Sequence, residues 1–156
     1  MAYRIFFGLG SNLGDKEKNI EEAYRRIEER IGKIVSKSAF YVTRPEGFLS
    51  ENWFVNTVCE VVSDMPVDEV FAITQTIEKQ LGRTKKSENG NYADRVIDID
   101  MLMVDDSIID TPELTVPHPR MHLRRFVLVP FAEIAPDVVH PVFKQSIRDL
   151  LEQLPQ

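Results

Sequence analysis

The sequence predicts an α+β domain with the element order β-α-β-β-α-β and a mainly antiparallel sheet. Three observations carry that prediction. Four runs of apolar, β-branched and aromatic residues read as strands. Two stretches with apolar residues at helical spacing lie after the first and third of these runs. No helical stretch separates the second run from the third, which conflicts with a parallel nucleotide-binding sheet. The 156 residues fit a single domain, 1–156, with a sizeable core.

Residues 3–9 are apolar and aromatic and form the first strand. Residues 15–31 form the first helix. Its apolar positions Ile20, Ala23, Tyr24, Ile27 and Ile31 fall on one face, Asp15 suits the cap and Gly32 closes it. Residues 34–43 are the second strand, 44–53 a loop with Pro45 and Gly47, and 54–62 the third strand. Pro66 suits the first position of the second helix. The buried stripe of that helix is Val67, Val70, Phe71, Ile77 and Leu81, and Gly82 ends it. Residues 83–94 make a polar loop without apolar anchors, and 95–104 the fourth strand. This order is the ferredoxin-like arrangement, with helices on one face of the sheet. Pro112, Pro117, Pro119, Pro130, Pro136 and Pro141 then call for short elements, a Pro-rich C-terminal wrap.

Composition narrows the function. The net charge of -6 argues against general nucleic-acid binding. No apolar run reaches the length of a membrane span. The first strand starts within a few residues of Met1, with no cleavable signal pattern expected. The single Cys59 excludes an internal disulfide or a cysteine metal cage and suits a reducing, cytoplasmic setting. Positive charge is nonetheless clustered: Arg83, Lys85, Lys86 and Arg95 around the polar loop, and Arg120, Arg124 and Arg125 further on.

The fourth strand holds the most informative residues. Asp98 and Asp100 share one face of it, roughly 6–7 Å apart at Cα, with Ile97, Ile99, Met101 and Met103 on the other. An Asp-x-Asp on a wet strand face can be plain surface. Aspartate is depleted in strands, however, and two side by side repel. A hard divalent cation is their natural partner, and Mg²⁺ usually brings a phosphate.

Other motifs are weaker singly. Gly8, Gly10 and Gly14 lie where a dinucleotide fingerprint would, but the third glycine comes one place late and no acidic residue ends the second strand. A tight turn and the close approach of a ligand are the better reading. Asn56, among valines, needs partners that a flat heterocycle could supply, or equally is a capped or edge amide, and Phe54 and Phe126 could sandwich such a ring, although aromatics are more often plain core. Gln75 and Glu78 share a helix flank that could touch a nucleotide, although taken alone a solvated helix face is the better reading. His118, stiffly held between Pro117 and Pro119, suits a phosphate or ribose or a purely structural hydrogen bond.

Taken together, these motifs resemble those of the 6-hydroxymethyl-7,8-dihydropterin pyrophosphokinases. The resemblance rests on Gly10-Ser11-Asn12-Leu13-Gly14, Tyr41-x-Thr43-x-Pro45-x-Gly47, Asn56, Gln75-x-x-Glu78 and Gly82-Arg83. It continues through Asp94-Arg95-Val96-Ile97-Asp98-Ile99-Asp100, Leu114 to His118, and Arg124-Arg125-Phe126 to Pro136. It implies transfer of pyrophosphate from MgATP to the pterin hydroxymethyl group, releasing AMP, in folate biosynthesis. It also implies two Mg²⁺ ions on Asp98 and Asp100, with Arg83, Arg95 and Arg124 facing phosphates. Gln75, Glu78, Lys85, Tyr92, Ile99 through its backbone, Thr115 and His118 would surround ATP. Thr43, Arg44 and Glu46 would line the pterin pocket, Asn56 would read its polar edge, and Phe54 and Phe126 would stack on it. A monomer acting on small molecules, without nucleic acid or membrane, is expected. The chain departs from the family pattern at Tyr92, Asp94, Glu113 and Pro119. A non-catalytic binding module and a metal-dependent phosphohydrolase are the rival readings.

Overall fold

The sheet is built around one strand. In a computed structural model that describes residues 2–44, 53–82 and 95–155, β1 (Tyr3–Ser11) is followed by α1 (Lys16–Arg30), β2 (Lys33–Lys37), β3 (Tyr41–Thr43) and β4 (Phe54–Ser63). Then come α2 (Val67–Gln80), β5 (Asp98–Val104), the short pair β6 (Ile109–Asp110) and β7 (Thr115–Val116), a 3-10 turn (Met121–Leu123), α3 (Arg125–Ile134) and α4 (Ile147–Glu152). β1 pairs antiparallel with β4 on one side and β5 on the other, giving the order β2-β4-β1-β5, and β3 also pairs with β4. The sheet is antiparallel throughout, as expected, which rules out the dinucleotide-binding alternative.

Alternation along β1 divides the molecule. Ile5, Phe7 and Leu9 face α1 and α2, where they join Ile20, Ala23, Ile27, Val70 and Ile77. Phe6 faces the other way and packs on Phe131 of α3, ring centroids 4.6 Å apart. The predicted stripe of α1 is buried, and Asp15 caps α1 by accepting from the Lys18 N–H; in α2 Val70 and Ile77 are buried together with Thr74 and Glu78, while Val67, Phe71 and Leu81 are partly buried against the same core. The proline pattern does not reveal that the C-terminal segment forms α3 and α4. These cover the face opposite α1 and α2, around Leu128, Phe131, Ile147 and Leu150.

Several details differ from the sequence reading, among them β1 running on to Ser11 and β4 to Ser63. The second strand is broken at residues 38–40: the Ser38 hydroxyl accepts the Val58 N–H and so takes over a ladder bond. Regular pairing of the fourth strand begins at Asp98 rather than Arg95. A bulge against β1 between Phe6 and Phe7 reverses the alternation, so Met103 joins the α3/α4 layer while Ile97, Ile99 and Met101 stay with α1 and α2. Pro66 is the cap of α2, one place before its first helical residue.

Candidate active site

The half of the sheet that α3 and α4 leave open is a cavity of about 350 Å³. Strand register explains it. On that face Asp98 of β5 stands opposite Gly10 of β1, which stands opposite Asn56 of β4. The next row is Asp100, Gly8 and Val58. Two glycines in the central strand thus leave a bare strip of backbone between a pair of carboxylates and an amide. Gly8 and Gly10 lie inside β1 rather than in a turn. The turn before α1 belongs to Gly14, which adopts a φ of 71°. A Cβ on Gly10 would sit 2.9 Å from Asn56 Oδ1, so the bare position lets the amide side chain lie over the strand.

The carboxylate side is crowded with charge. Arg95 Nη1 lies 3.1 Å from Asp98 Oδ1. Arg95 itself is anchored by Asn12: the Asn12 N–H donates to the Arg95 carbonyl at 3.0 Å and the Asn12 Oδ1 accepts the Arg95 N–H at 2.6 Å. Burial pushes the Asp100 carboxyl well above its ordinary range, and the charges of Asp98 and Glu78 push the same way against Arg124 and Arg95. A cation placed between the two aspartates would relieve both effects, so these side chains fit a divalent metal. Among the described residues no group of three or more His, Cys, Asp and Glu could hold an ion. A metal here would draw its remaining ligands from phosphate and water, as Mg²⁺ commonly does.

The opposite side is aromatic and, apart from Arg44, neutral. Phe54 from β4 and Phe126 from the start of α3 line the cavity with Asn56. The Asn56 amide donates to Thr43 Oγ1 at 2.7 Å, which fixes the orientation of the amide. Arg44 also lines the cavity, with its guanidinium 5.3 Å from the Trp53 ring centroid. Arg124 reaches back over the Phe126 ring at 5.5 Å and connects the two halves.

Nine of the sequence-predicted residues therefore share one cavity: Thr43, Arg44, Phe54, Asn56, Arg95, Asp98, Asp100, Arg124 and Phe126. Others cluster on β5 without lining the cavity. Buried Glu78 accepts the Ile99 N–H at 2.8 Å, so that N–H points away from β1. Because a strand residue's N–H and C=O share a side, the Ile99 carbonyl faces outward too. His118 donates its backbone N–H to Leu102 O of β5, and its Nδ1 accepts the Arg120 N–H. Burial, helped by Arg124, lowers its pKa to about 4. The ring is therefore neutral near pH 7 and carries its proton on Nε2. Gln75 is half-buried one turn before Glu78, and Thr115 is exposed on β7. Glu46, Arg83, Lys85, Lys86, Tyr92 and Asp94 lie outside the described residues. Sequence reasoning missed Asn12 as the anchor of Arg95. It also missed Leu123 as a cavity wall, while Arg120, read only as part of a basic cluster, is another. The Gly-Ser-Asn run was the available signal for the first, and none marks Leu123.

Paired carboxylates and arginines beside an aromatic slot, on this fold, are the equipment of a transferase that brings a polyphosphate to a flat acceptor. The chain belongs to the 7,8-dihydro-6-hydroxymethylpterin-pyrophosphokinase (HPPK) family, whose model matches residues 6–136. The 2-amino-4-hydroxy-6-hydroxymethyldihydropteridine pyrophosphokinase of Porphyromonas gingivalis is 41% identical over 140 residues, 88% of this chain and 93% of that protein. Its counterpart in Bacillus subtilis is 37% identical over 134 residues, 85% of this chain and 78% of the relative. The folic acid synthesis protein FOL1 of Dictyostelium discoideum is 35% identical over 151 residues, which make up only 22% of its length. Among solved structures, Plasmodium falciparum HPPK-DHPS with pteroate superposes with a TM-score of 0.76 at 17% identity. That likeness, which speaks for the fold, covers 98% of this chain and 42% of the longer one.

Proposed function

We propose that this chain transfers pyrophosphate from ATP to the hydroxymethyl group of 6-hydroxymethyl-7,8-dihydropterin, yielding AMP and the pterin diphosphate for folate biosynthesis. The observation that carries the reading is the single row Asp98–Gly10–Asn56, in which a phosphate-handling end and a heterocycle-handling end face each other across bare backbone. The pterin stacks between Phe54 and Phe126 and presents its polar edge to Asn56, with Thr43, Arg44 and Glu46 around it. Arg83, Arg95 and Arg124 hold the triphosphate. Gln75, Glu78, Ile99, Thr115 and His118 receive the nucleoside along the outer edge of β5, where an outward carbonyl and a neutral imidazole N–H offer an acceptor and a donor. The family resemblance adds Lys85 and Tyr92 to the ATP contacts. Two Mg²⁺ ions on Asp98 and Asp100 would neutralise the developing charge and acidify the attacking hydroxyl. That hydroxyl oxygen bonds to the β-phosphorus while the bond from the β-phosphorus to the α,β-bridging oxygen breaks, and AMP leaves. The protein's share is to align the two substrates and keep water out. A monomer acting on small molecules belongs to the same reading. No described helix is long and apolar enough to cross a membrane, and the lone, buried Cys59 suits the cytoplasm.

The test is nucleotide analysis after mixing the protein with ATP, Mg²⁺ and 6-hydroxymethyl-7,8-dihydropterin. AMP that appears only when the pterin is present is the expected result. ADP would mean attack at the γ-phosphorus, and phosphate release without pterin would mean a hydrolase. Either refutes the proposal, as does pterin binding without turnover.

A further inference from the structure

We infer that Glu133 is a positioning residue for the heterocycle, holding β3 against α3 so that the slot between Phe54 and Phe126 keeps its width. The inference rests on the reading of that slot as the pterin site. β3 has only three residues and follows the break at Ser38, so few ladder bonds hold it to β4. The Ala39 N–H lies in that break. It donates instead to both carboxylate oxygens of Glu133, at 3.2 and 3.1 Å. The Tyr41 hydroxyl donates to Glu133 Oε1, and this bond is the first cause of the raised pKa of Tyr41. A solvent-exposed glutamate serving only solubility has no need of two donors from a neighbouring strand.

What Glu133 grips is the strand that orients Asn56. β3 places Tyr41 opposite Asn56 and Thr43 opposite Phe54, and Thr43 Oγ1 accepts the Asn56 amide. Glu133 itself stands seven residues after Phe126 on α3. Positions i and i+7 share a helix face, so one stripe of α3 carries an aromatic wall of the slot at its start and the grip on β3 at its end. The carboxylate therefore ties the helix bearing one ring to the strand paired beside the other ring. It does so without lining the cavity or touching a substrate.

The experiment is steady-state kinetics of the full chain with each substrate varied, comparing E133A, E133Q and Y41F with the parent. E133A should raise the KM for the pterin by about tenfold, the scale of one charged hydrogen bond, with the KM for ATP and kcat within about twofold of the parent. E133Q, which keeps an acceptor, and Y41F, which removes one donor, should fall between E133A and the parent. They carry the test if E133A does not fold. A pterin KM that does not move in a parent-like background, or pterin and ATP constants that rise together, overturns the inference alone. A parent that neither binds nor turns over the pterin overturns the reading of the slot and this inference with it.

Discussion

The two ends of the cavity are organised on opposite principles. At the slot, hydrogen bonds hold the walls: Asn56 is oriented by Thr43, and β3 is held by the Glu133 carboxylate. At the floor, like charges are held together: Asp100 lies in a position where burial, Asp98 and Glu78 all oppose its ionisation. At the slot the polar groups are bonded to one another in the protein alone, so a ligand there meets walls already tied in place. The floor is electrostatically unfinished, so a ligand that brings positive charge completes it. The difference teaches where each kind of mutation should be felt. Changes at the floor should appear in turnover, and changes at the slot in the affinity for one substrate.

Asp98→Ala tests the floor most severely. If Asp98 holds a metal as proposed, its loss removes several kcal/mol of transition-state stabilisation, so kcat should fall on the order of a thousandfold or more. The melting temperature should hardly change, because the variant also removes a charge that repels Asp100. Turnover within tenfold of the parent would sink the metal assignment. A large drop in melting temperature would mean that Asp98 supports the fold through Arg95.

Asn12→Ala reaches the same floor indirectly and should do less. Asn12 is fully buried and returns the Arg95 N–H bond, so its loss frees the arginine that faces Asp98. The expected fall in kcat/KM for ATP is about ten- to hundredfold, the usual scale for a residue one step behind a ligand. Pterin binding, measured by titration without nucleotide, should hold. An unsatisfied backbone N–H also costs about 1–3 kcal/mol, visible in denaturant unfolding. Equal losses for both substrates would show that Asn12 supports the cavity as a whole rather than its charged end.

Legibility in the sequence follows the same division. The α1 and α2 face was readable because a helix stripe and an alternating strand repeat over many residues, as with Ile20, Ala23 and Ile27 against Ile5, Phe7 and Leu9. Asp98 and Asp100 stood out because two charges contradict an apolar strand. The α3/α4 layer was not readable: Pro130 lies inside α3 and masks a helix that tertiary packing imposes. Met103 changed sides because of a bulge, and no local pattern announces a bulge. Asn12 and Glu133 were named only as motif letters, and Gly10 as one of several glycines for a turn or a ligand's close approach. Their roles depend on partners 83, 94 and 46 positions away in the chain, a separation that spacing arguments do not span.

Gly10→Ala is the mildest test and the sharpest for the slot. The strand conformation of Gly10 suits alanine, and alanine lowers the entropy of the unfolded chain, so stability should change little. The new methyl would lie 2.9 Å from Asn56 Oδ1, closer than such atoms approach, and the end of a side chain is what can yield. The amide must then shift against its bond to Thr43, by a few tenths of an ångström. If a misplacement of about 1 Å costs about a hundredfold, this one should raise the KM for the pterin about three- to tenfold and leave the KM for ATP alone. Gly8→Ala is the internal control. Its methyl would make ordinary contact with Leu102 at 3.4 Å and meets no amide, and it stands beside Asp100 rather than Asn56. Any effect of Gly8→Ala should therefore fall on the nucleotide. If both variants raised the pterin KM alike, the bare strip would be acting as a shared floor under the heterocycle, and the division of the cavity into two ends would have to be moved to the β5 side of β1.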